Sequence, residues 1–375
     1  MERIVFNKPY LSGRELYYIY RAIDSGKISG NQDYTKKCHQ FFKDKYNLKC
    51  NLLTTSCTDA LEMCAILSNI KPGDEVIIPS YTFTSTANAF MLRGAKIVFA
   101  DSCENNPNID HSKIEELITN KTKAIVVVHY AGFACKMDDI SKLTKKHNLF
   151  LIEDAAQAID SFYKNKPLGT FGDFAAFSFH ETKNIICGEG GLLAINNKKF
   201  VNRAEIIWEK GTNRSAFFRN ETDKYGWMDI GSSFLMSDLL AAYLYGQLEN
   251  LSEIQKKRKN IWHTYYDKLK VLEKNNIKLP NIPKNTTVNG HLFYLICNSL
   301  KERSELISYL HKNKIHAVFH YLSLHKSPFF KEKHDGRNLI NCDKFANCLV
   351  RLPLFVDLSK EQQEYIIENI LSFFS

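Results

Sequence analysis

The chain reads as an α/β protein, with a large domain on a mostly parallel sheet and a smaller α+β unit after it. Three observations predict this. From about residue 49, apolar strand-like runs alternate with helical periodicities. Several of those runs are unbroken, as expected for parallel strands covered on both faces. The length, 375 residues, exceeds what one core usually serves, so two domains are expected: residues 1–235, and a linking helix with a small domain over 236–375.

Residues 13–25 and 33–46 have amphipathic helical spacing around a turn at 25–30 containing Gly26, Ser29 and Gly30. Strands are expected at 50–54, 75–78, 96–100, 124–129, 149–153 and 175–179, with helices at 58–69, 82–92, 112–118 and 136–147. Pro72-Gly73-Asp74 is a turn by its own chemistry. Residues 210–234 show no clear period, and a loop of that length is usually functional or disordered. Its Phe217, Phe218, Tyr225, Trp227 and Phe234 argue against disorder. Helical patterning then runs from Ser237 towards Leu272. The last hundred residues read as a strand at 291–297, a helix at 301–312, a strand at 315–319 and helices at 342–349 and 360–373.

Composition excludes several classes. The formal charge is +9, but no block of five or six like charges occurs, and Lys256, Lys257, Arg258 and Lys259 sit in a helical pattern as a solvated face. No nucleic-acid partner is expected; an anionic small substrate accounts for the mild basicity equally well. The ten cysteines contain no Cys-x-x-Cys and the twelve histidines no His-Glu-x-x-His, so neither a metal site nor a disulfide framework is expected. The first six residues lack a signal-peptide core, and no apolar run approaches the roughly 18 residues of a membrane span, so the expected location is cytoplasmic. Gly188-Glu189-Gly190-Gly191 is not a dinucleotide fingerprint, and no Walker lysine motif occurs.

The chemistry centres on Lys183, in Ser178-Phe-His-Glu-Thr-Lys183-Asn184, and on Asp154 at the end of the apolar run 149–153. An amine and an acid on consecutive strand ends can grip the two ends of a pyridinium aldehyde, which is the chemistry of pyridoxal 5'-phosphate (PLP). The amine must be partly neutral to react, and the carboxylate keeps the ring nitrogen protonated. Open α/β sheets hold ligands just beyond such strand ends. Ser56-Cys57-Thr58 follows a strand and opens a helix, offering N–H groups and a hydroxyl to a phosphate. Ser178 and Asn213 are further candidate donors. Phe83 could lie on the cofactor ring and Gln157 could reach its 3-hydroxyl. His180, His320 and His325 are candidate acid/base groups.

With these residues in view, the chain resembles the DegT/DnrJ/EryC1/StrS family of sugar-nucleotide aminotransferases, fold-type I PLP enzymes, over nearly its whole length. The resemblance is carried by Pro79-Ser-Tyr-Thr-Phe83 and its continuation to Ala89, by residues 92–99, by Val128-His-Tyr-Ala-Gly132, Glu153-Asp-Ala-Ala-Gln157, Phe177-Ser-Phe-His-Glu-Thr-Lys183-Asn184, Glu209-Lys-Gly-Thr-Asn-Arg-Ser215 and Asp229-Ile-Gly-Ser-Ser233. It looks closest to the branch forming dTDP-4-amino-4,6-dideoxygalactose for lipopolysaccharide O-antigen or enterobacterial common antigen. The resemblance implies a PLP Schiff base on Lys183, Asp154 at the pyridine nitrogen, a phosphate site of Cys57, Thr58 and Ser178, and Gln157 and Phe83 flanking the ring. It implies that Asn213 comes from a second subunit of a homodimer. It implies nitrogen transfer from L-glutamate, through pyridoxamine phosphate, to a dTDP-linked keto sugar. Lys210, Arg214, Arg219 and Lys224 are candidate ligands of the sugar diphosphate, and the stretch from His320 and Tyr321 to His325 is a candidate border of the sugar. A 4-amino gluco epimer, a 3-amino sugar and a non-catalytic regulator binding PLP or sugar nucleotide remain alternatives.

Overall fold

The computed structural model describes residues 2–375. Its centre is a seven-stranded sheet of β1 (Asn51–Thr54), β2 (Glu75–Pro79), β3 (Lys96–Ala100), β4 (Thr122–Val128), β5 (Phe150–Asp154), β8 (Phe174–Ser178) and β9 (Gly191–Ile195). Between β5 and β8, β6 (Phe162–Tyr163) and β7 (Lys166–Pro167) make a small separate hairpin. The order across the large sheet is β1-β9-β8-β5-β4-β2-β3. Strands β3, β2, β4, β5 and β8 run parallel, and β9 runs antiparallel to both neighbours. The sheet is therefore mostly parallel, as expected.

Alternation along each strand feeds two cores. Val76, Val126, Ile152, Phe174 and Leu193 face one side, with the helix Cys57–Leu67. Ile77, Ile125, Leu151, Ala175 and Leu192 face the other, with Phe42 and Tyr46 of the helix Asp33–Tyr46. Burial on both faces is why these strands lack polar alternation. The helix Asp238–Glu249 packs Ala241, Leu244 and Leu248 into the second core. The first core continues into Trp262, Tyr265 and Phe293, reaching a two-stranded sheet of β10 (Phe293–Ile296) and β11 (Leu349–Leu352).

Some expectations fail for local reasons. The pattern from Ser237 to Leu272 is two helices, Asp238–Glu249 and Leu251–Leu269, because the Asn250 side chain caps Gly246 O at 3.0 Å and stops the first. Residues 112–118 form only the short turns His111–Lys113 and Glu115–Leu117, since Asp110 captures the Ser112 N–H. Residues 315–319 make isolated bridges, Ile315 to Ile4 and Val318 to Arg351, rather than a strand. Strands β9 and β11 are absent from the sequence-based expectations altogether. Segment 210–234 folds back on itself through bridges from Glu209 to Ser233 and Thr212 to Trp227, around one short helix, Arg214–Phe218.

Next to Asp154, Glu153 turns to the opposite side of β5 and holds the sheet to a loop. It is fully buried and accepts N–H groups of Gly169, Phe171 and Gly172, each at 2.7 Å, with His129 Nε2 at 3.0 Å. Burial alone would raise its carboxyl, but His129 and these N–H groups outweigh it and hold the carboxyl below its usual range. Glu153→Ala strands all four partners. It should destabilise the protein by at least about 3 kcal/mol, since each buried donor left unpaired costs about 1–3 kcal/mol, read as a lower urea midpoint; an unchanged midpoint would refute that role.

Candidate active site

A cavity of about 530 Å³ opens where the C-terminal ends of the parallel strands meet β11, His291 and the segment of His320 and Tyr321. Cys57 and Thr58 line it from the first turn of the helix Cys57–Leu67, whose leading N–H groups have no intrahelical acceptor. Ser56 caps that helix by accepting the Asp59 N–H at 3.0 Å, and Thr58 Oγ1 donates to Ser85 Oγ at 2.8 Å. The glycine run is explained here. A Cβ on Gly191 would meet the Ser56 carbonyl carbon and oxygen at 2.4 Å, so only glycine lets β9 approach this turn.

Asp154 ends β5 and enters the same cavity, only 6% exposed. Its Oδ2 accepts from Thr86 Oγ1 at 2.7 Å and its Oδ1 from the Ala156 N–H at 3.2 Å. Burial pushes its carboxyl up, and the opposing pull of Thr86, the Ala156 N–H and Lys183 does not cancel that. One strand over, Ser178 ends β8 and lines the cavity, with the turn carrying Lys183 directly after it. That turn is tied by Lys183 N–H to His180 O at 2.8 Å and by Cys187 N–H to Phe179 O at 2.8 Å. Lys183 is half-buried on the cavity wall.

Gln157, Phe83, His180, His320 and Tyr321 complete the predicted residues gathered here. Gln157 Oε1 accepts the Ala131 N–H at 2.7 Å, and Nε2 donates to Tyr321 Oη at 3.2 Å, leaving a second Nε2 hydrogen available. Phe83 is 56% exposed, so it is cavity wall rather than core, with its ring 5.9 Å from that of Tyr321. His180 Nδ1 lies 2.9 Å from Thr182 Oγ1.

Other expected residues lie elsewhere in the single chain. Asn213, Lys210, Arg214 and Arg219 do not line this cavity. Asn213 Oδ1 accepts the Gly226 N–H at 2.9 Å, and the Arg214 guanidinium lies 5.1 Å from the Phe218 ring centre. Arg219 binds Glu205 through two nitrogens, at 2.6 and 2.7 Å, and Glu221 through Nε at 2.8 Å, so its donors are committed within the arm. Lys224 is in that arm too, its carbonyl accepting from Thr222. His325 is buried away from the cavity, with Nδ1 2.8 Å from Ser80 Oγ, and ties its segment to the end of β2.

The model for the DegT/DnrJ/EryC1/StrS aminotransferase family matches residues 9–371. The chain belongs to that family. Over 379 aligned residues this family member is 32% identical to GDP-perosamine synthase of Escherichia coli O157:H7, covering 100% of both chains. Its fold matches that of S. venezuelae DesV, solved in complex with a ketimine intermediate, with a TM-score of 0.91 at 27% identity, covering 100% of this chain and 99% of the other. It matches Spr1654 of Streptococcus pneumoniae, named as a sugar aminotransferase and solved in a PLP form, with a TM-score of 0.90 at 25% identity, covering 99% and 98%.

The residues present fit PLP by their own geometry. Asp154 is a buried acid whose charge calls for a cation, the helix start offers N–H groups to a phosphate, and an amine stands on the same wall. Several wall residues are not among the sequence-based candidates: Phe6, Asn7, Ser85, Glu189, His291 and Arg351. Only an assignment of β11 would have pointed to Arg351. Among the described residues, no helix is long and apolar enough to cross a membrane.

Proposed function

We propose that this family member is a PLP-dependent aminotransferase carrying nitrogen from L-glutamate to the 4-keto carbon of dTDP-4-keto-6-deoxy-D-glucose. The product is dTDP-4-amino-4,6-dideoxy-D-galactose, for surface polysaccharide. The observation that carries this reading is the convergence of Lys183, Asp154 and the start of the helix Cys57–Leu67 on one cavity. When bound, PLP supplies an electron sink for the carbon that bears the transferred nitrogen.

The chain's residues supply the rest. The Cys57 and Thr58 N–H groups, the Thr58 hydroxyl and Ser178 hold the phosphate. Asp154 keeps a proton on the ring nitrogen, and the spare Nε2 hydrogen of Gln157 orients the 3-hydroxyl. Phe83 covers one face. Lys183 Nζ would hold the aldehyde carbon, and its free amine would take the proton from the substrate carbon. A positioned base of this kind contributes about 10²–10⁴-fold.

The choice of sugar rests on the motif resemblance, and the relatives' names support a sugar substrate. A homodimer is part of the reading, with Asn213 serving the partner's cavity. Supporting it, the helix Glu15–Asp24 and segment 210–234 expose Leu16, Tyr20, Ile23, Phe218 and Trp227, the last by 85%. The ten unpaired cysteines agree with a cytoplasmic location.

The purified holoenzyme should be yellow, and L-glutamate should convert it to the pyridoxamine form. No response to any amino acid would favour the regulator reading. NMR of the product from glutamate and dTDP-4-keto-6-deoxy-D-glucose decides the sugar: a gluco epimer or a 3-amino product replaces the galacto assignment and leaves the chemistry standing.

A further inference from the structure

Asn184 follows Lys183 directly, and its buried side chain begins a line of hydrogen bonds leading away from the cavity. His291 Nδ1 lies 2.8 Å from Asn184 Oδ1. Asn184 Nδ2 donates to Gln255 Oε1 at 2.8 Å and to Asn289 O at 2.9 Å. Gln255 Nε2 donates to Asp160 Oδ2 at 3.3 Å, which also pairs with Lys259 Nζ at 3.2 Å. The backbone of His291 is fixed as well. Asn289 Oδ1 accepts its N–H at 3.0 Å, and Arg258 Nη2 donates to its carbonyl at 2.7 Å.

The far ends of this line dictate its direction. The Asp160 carboxylate and the Asn289 carbonyl only accept, so both amides must present N–H groups to them. Asn184 is left with Oδ1 towards His291, and that oxygen accepts too. The imidazole proton therefore sits on Nδ1. Burial, with the charges of Lys183, Arg258 and Arg351 adding to it, holds the ring well below its usual range. At pH 7 the ring thus carries that one proton, and Nε2 is a bare lone pair. Nε2 has no partner among the described residues and is not one of the sealed side-chain atoms, so it opens on the cavity that His291 lines.

The donor that suits this lone pair is Lys183. It stands on the same cavity wall, its charge acts on the His291 ring, and the next residue in the chain bonds that ring. In the proposed reaction the Lys183 amine is free during each proton transfer. A free amine on a flexible stem rotates, yet its lone pair must aim at the substrate carbon. A fixed neutral acceptor that takes one of its N–H groups sets that aim. An imidazolium in the same place would repel the lysine once it had taken the proton. A ring held neutral accepts from the amine and from the ammonium alike.

We propose that His291 is a positioning residue whose bare Nε2, its tautomer set by Asn184, accepts a hydrogen bond from the free Lys183 amine; the inference rests on the aminotransferase reading above. The first test is ¹⁵N NMR of histidine-labelled protein, with the His291 signals identified by their loss in His291→Gln. At pH 7 the proton should be on Nδ1. In cofactor-free protein, and in the pyridoxamine form made with L-glutamate, Nε2 should show the shift of a hydrogen-bonded nitrogen. In cofactor-free Lys183→Ala that shift should vanish. The second test is kinetic. His291→Asn keeps a donor for Asn184 Oδ1 and removes Nε2, so the saturated rates of both half-reactions should fall about 10-fold or more, the scale of a hydrogen bond to a charged group. The half-saturating concentrations of glutamate and keto sugar should change little. His291→Gln returns an oxygen near the place of Nε2 and should recover part of the rate.

A proton on Nε2 at pH 7, an Nε2 signal indifferent to Lys183→Ala, or a loss confined to one half-reaction would overturn the assignment. If His291→Asn does not fold, the comparison of wild type with Lys183→Ala decides: a moved Nε2 signal supports the assignment and an unmoved one ends it. A yellow wild-type enzyme indifferent to every amino acid would overturn the underlying aminotransferase reading instead, while the bond between Lys183 and His291 would still be read in the cofactor-free protein.

Discussion

Lys183→Ala should abolish turnover while leaving a folded protein. Loss of the proton carrier alone should cost about 10²–10⁴-fold, and loss of the amine that anchors the aldehyde adds to that. The fold should survive, because the turn is held by backbone bonds rather than by the lysine side chain: Lys183 N–H to His180 O and Phe179 N–H to Gly190 O, both at 2.8 Å. The assay is product formation from glutamate and keto sugar, beside a circular dichroism melt. A fully active variant would end the proposed mechanism. The same variant tests the shared site. Mixed with an Asn213→Ala protein, it should restore some activity, because a mixed dimer can hold one cavity with both residues intact; an inactive mixture would remove Asn213 from the partner's cavity.

Asp154→Asn should separate stability from activity. In the cofactor-free protein, burial raises the Asp154 carboxyl above its ordinary value. A folded value above the unfolded one means that its stabilising contribution is complete below the unfolded carboxyl range and is lost as pH rises through the folded value. Above that folded value the cofactor-free protein carries a poorly compensated buried charge. Asparagine removes that charge and keeps an oxygen to accept from Thr86 or from the Ala156 N–H. Cofactor-free Asp154→Asn should melt a few degrees above the wild type at pH 7–8, with the gap closing towards pH 4. With PLP the order reverses. Without a carboxylate at the ring nitrogen, cofactor affinity and turnover should fall at least about 10-fold, the ~1.5–3 kcal/mol of a charged hydrogen bond. A variant that melts below the cofactor-free wild type at neutral pH, or that works as well, would contradict this account.

The surroundings of Arg219 and Arg351 show where reading residues alone stops. Both are arginines distant in sequence from Lys183. Arg219 reads as available for a diphosphate, yet Glu205 and Glu221 occupy its donors. Arg351 carries no motif, yet it comes into the cavity with Nη2 unpartnered. The difference lies in which carboxylates fold beside them, and no local pattern encodes that. In the same way β9 does not read as a strand because its run begins in glycines, whose purpose is close approach to the turn at Ser56.

What the residues determined alone was whatever depends on near neighbours in the chain. The unbroken apolar runs of β2, β4, β5 and β8 reflect burial on both faces, and Asp154, Ser178 and Thr58 stand out by their places at strand ends and at a helix start. Tertiary structure alone decided what depends on distant partners: the raised Asp154 carboxyl, the arginine held between Tyr130 and Tyr321, and the closing of the cavity by residues as distant as Phe6, His291 and Tyr321. The physical reason is that strand and helix periodicity are local properties of the backbone, whereas desolvation and charge pairing depend on segments that meet only after folding.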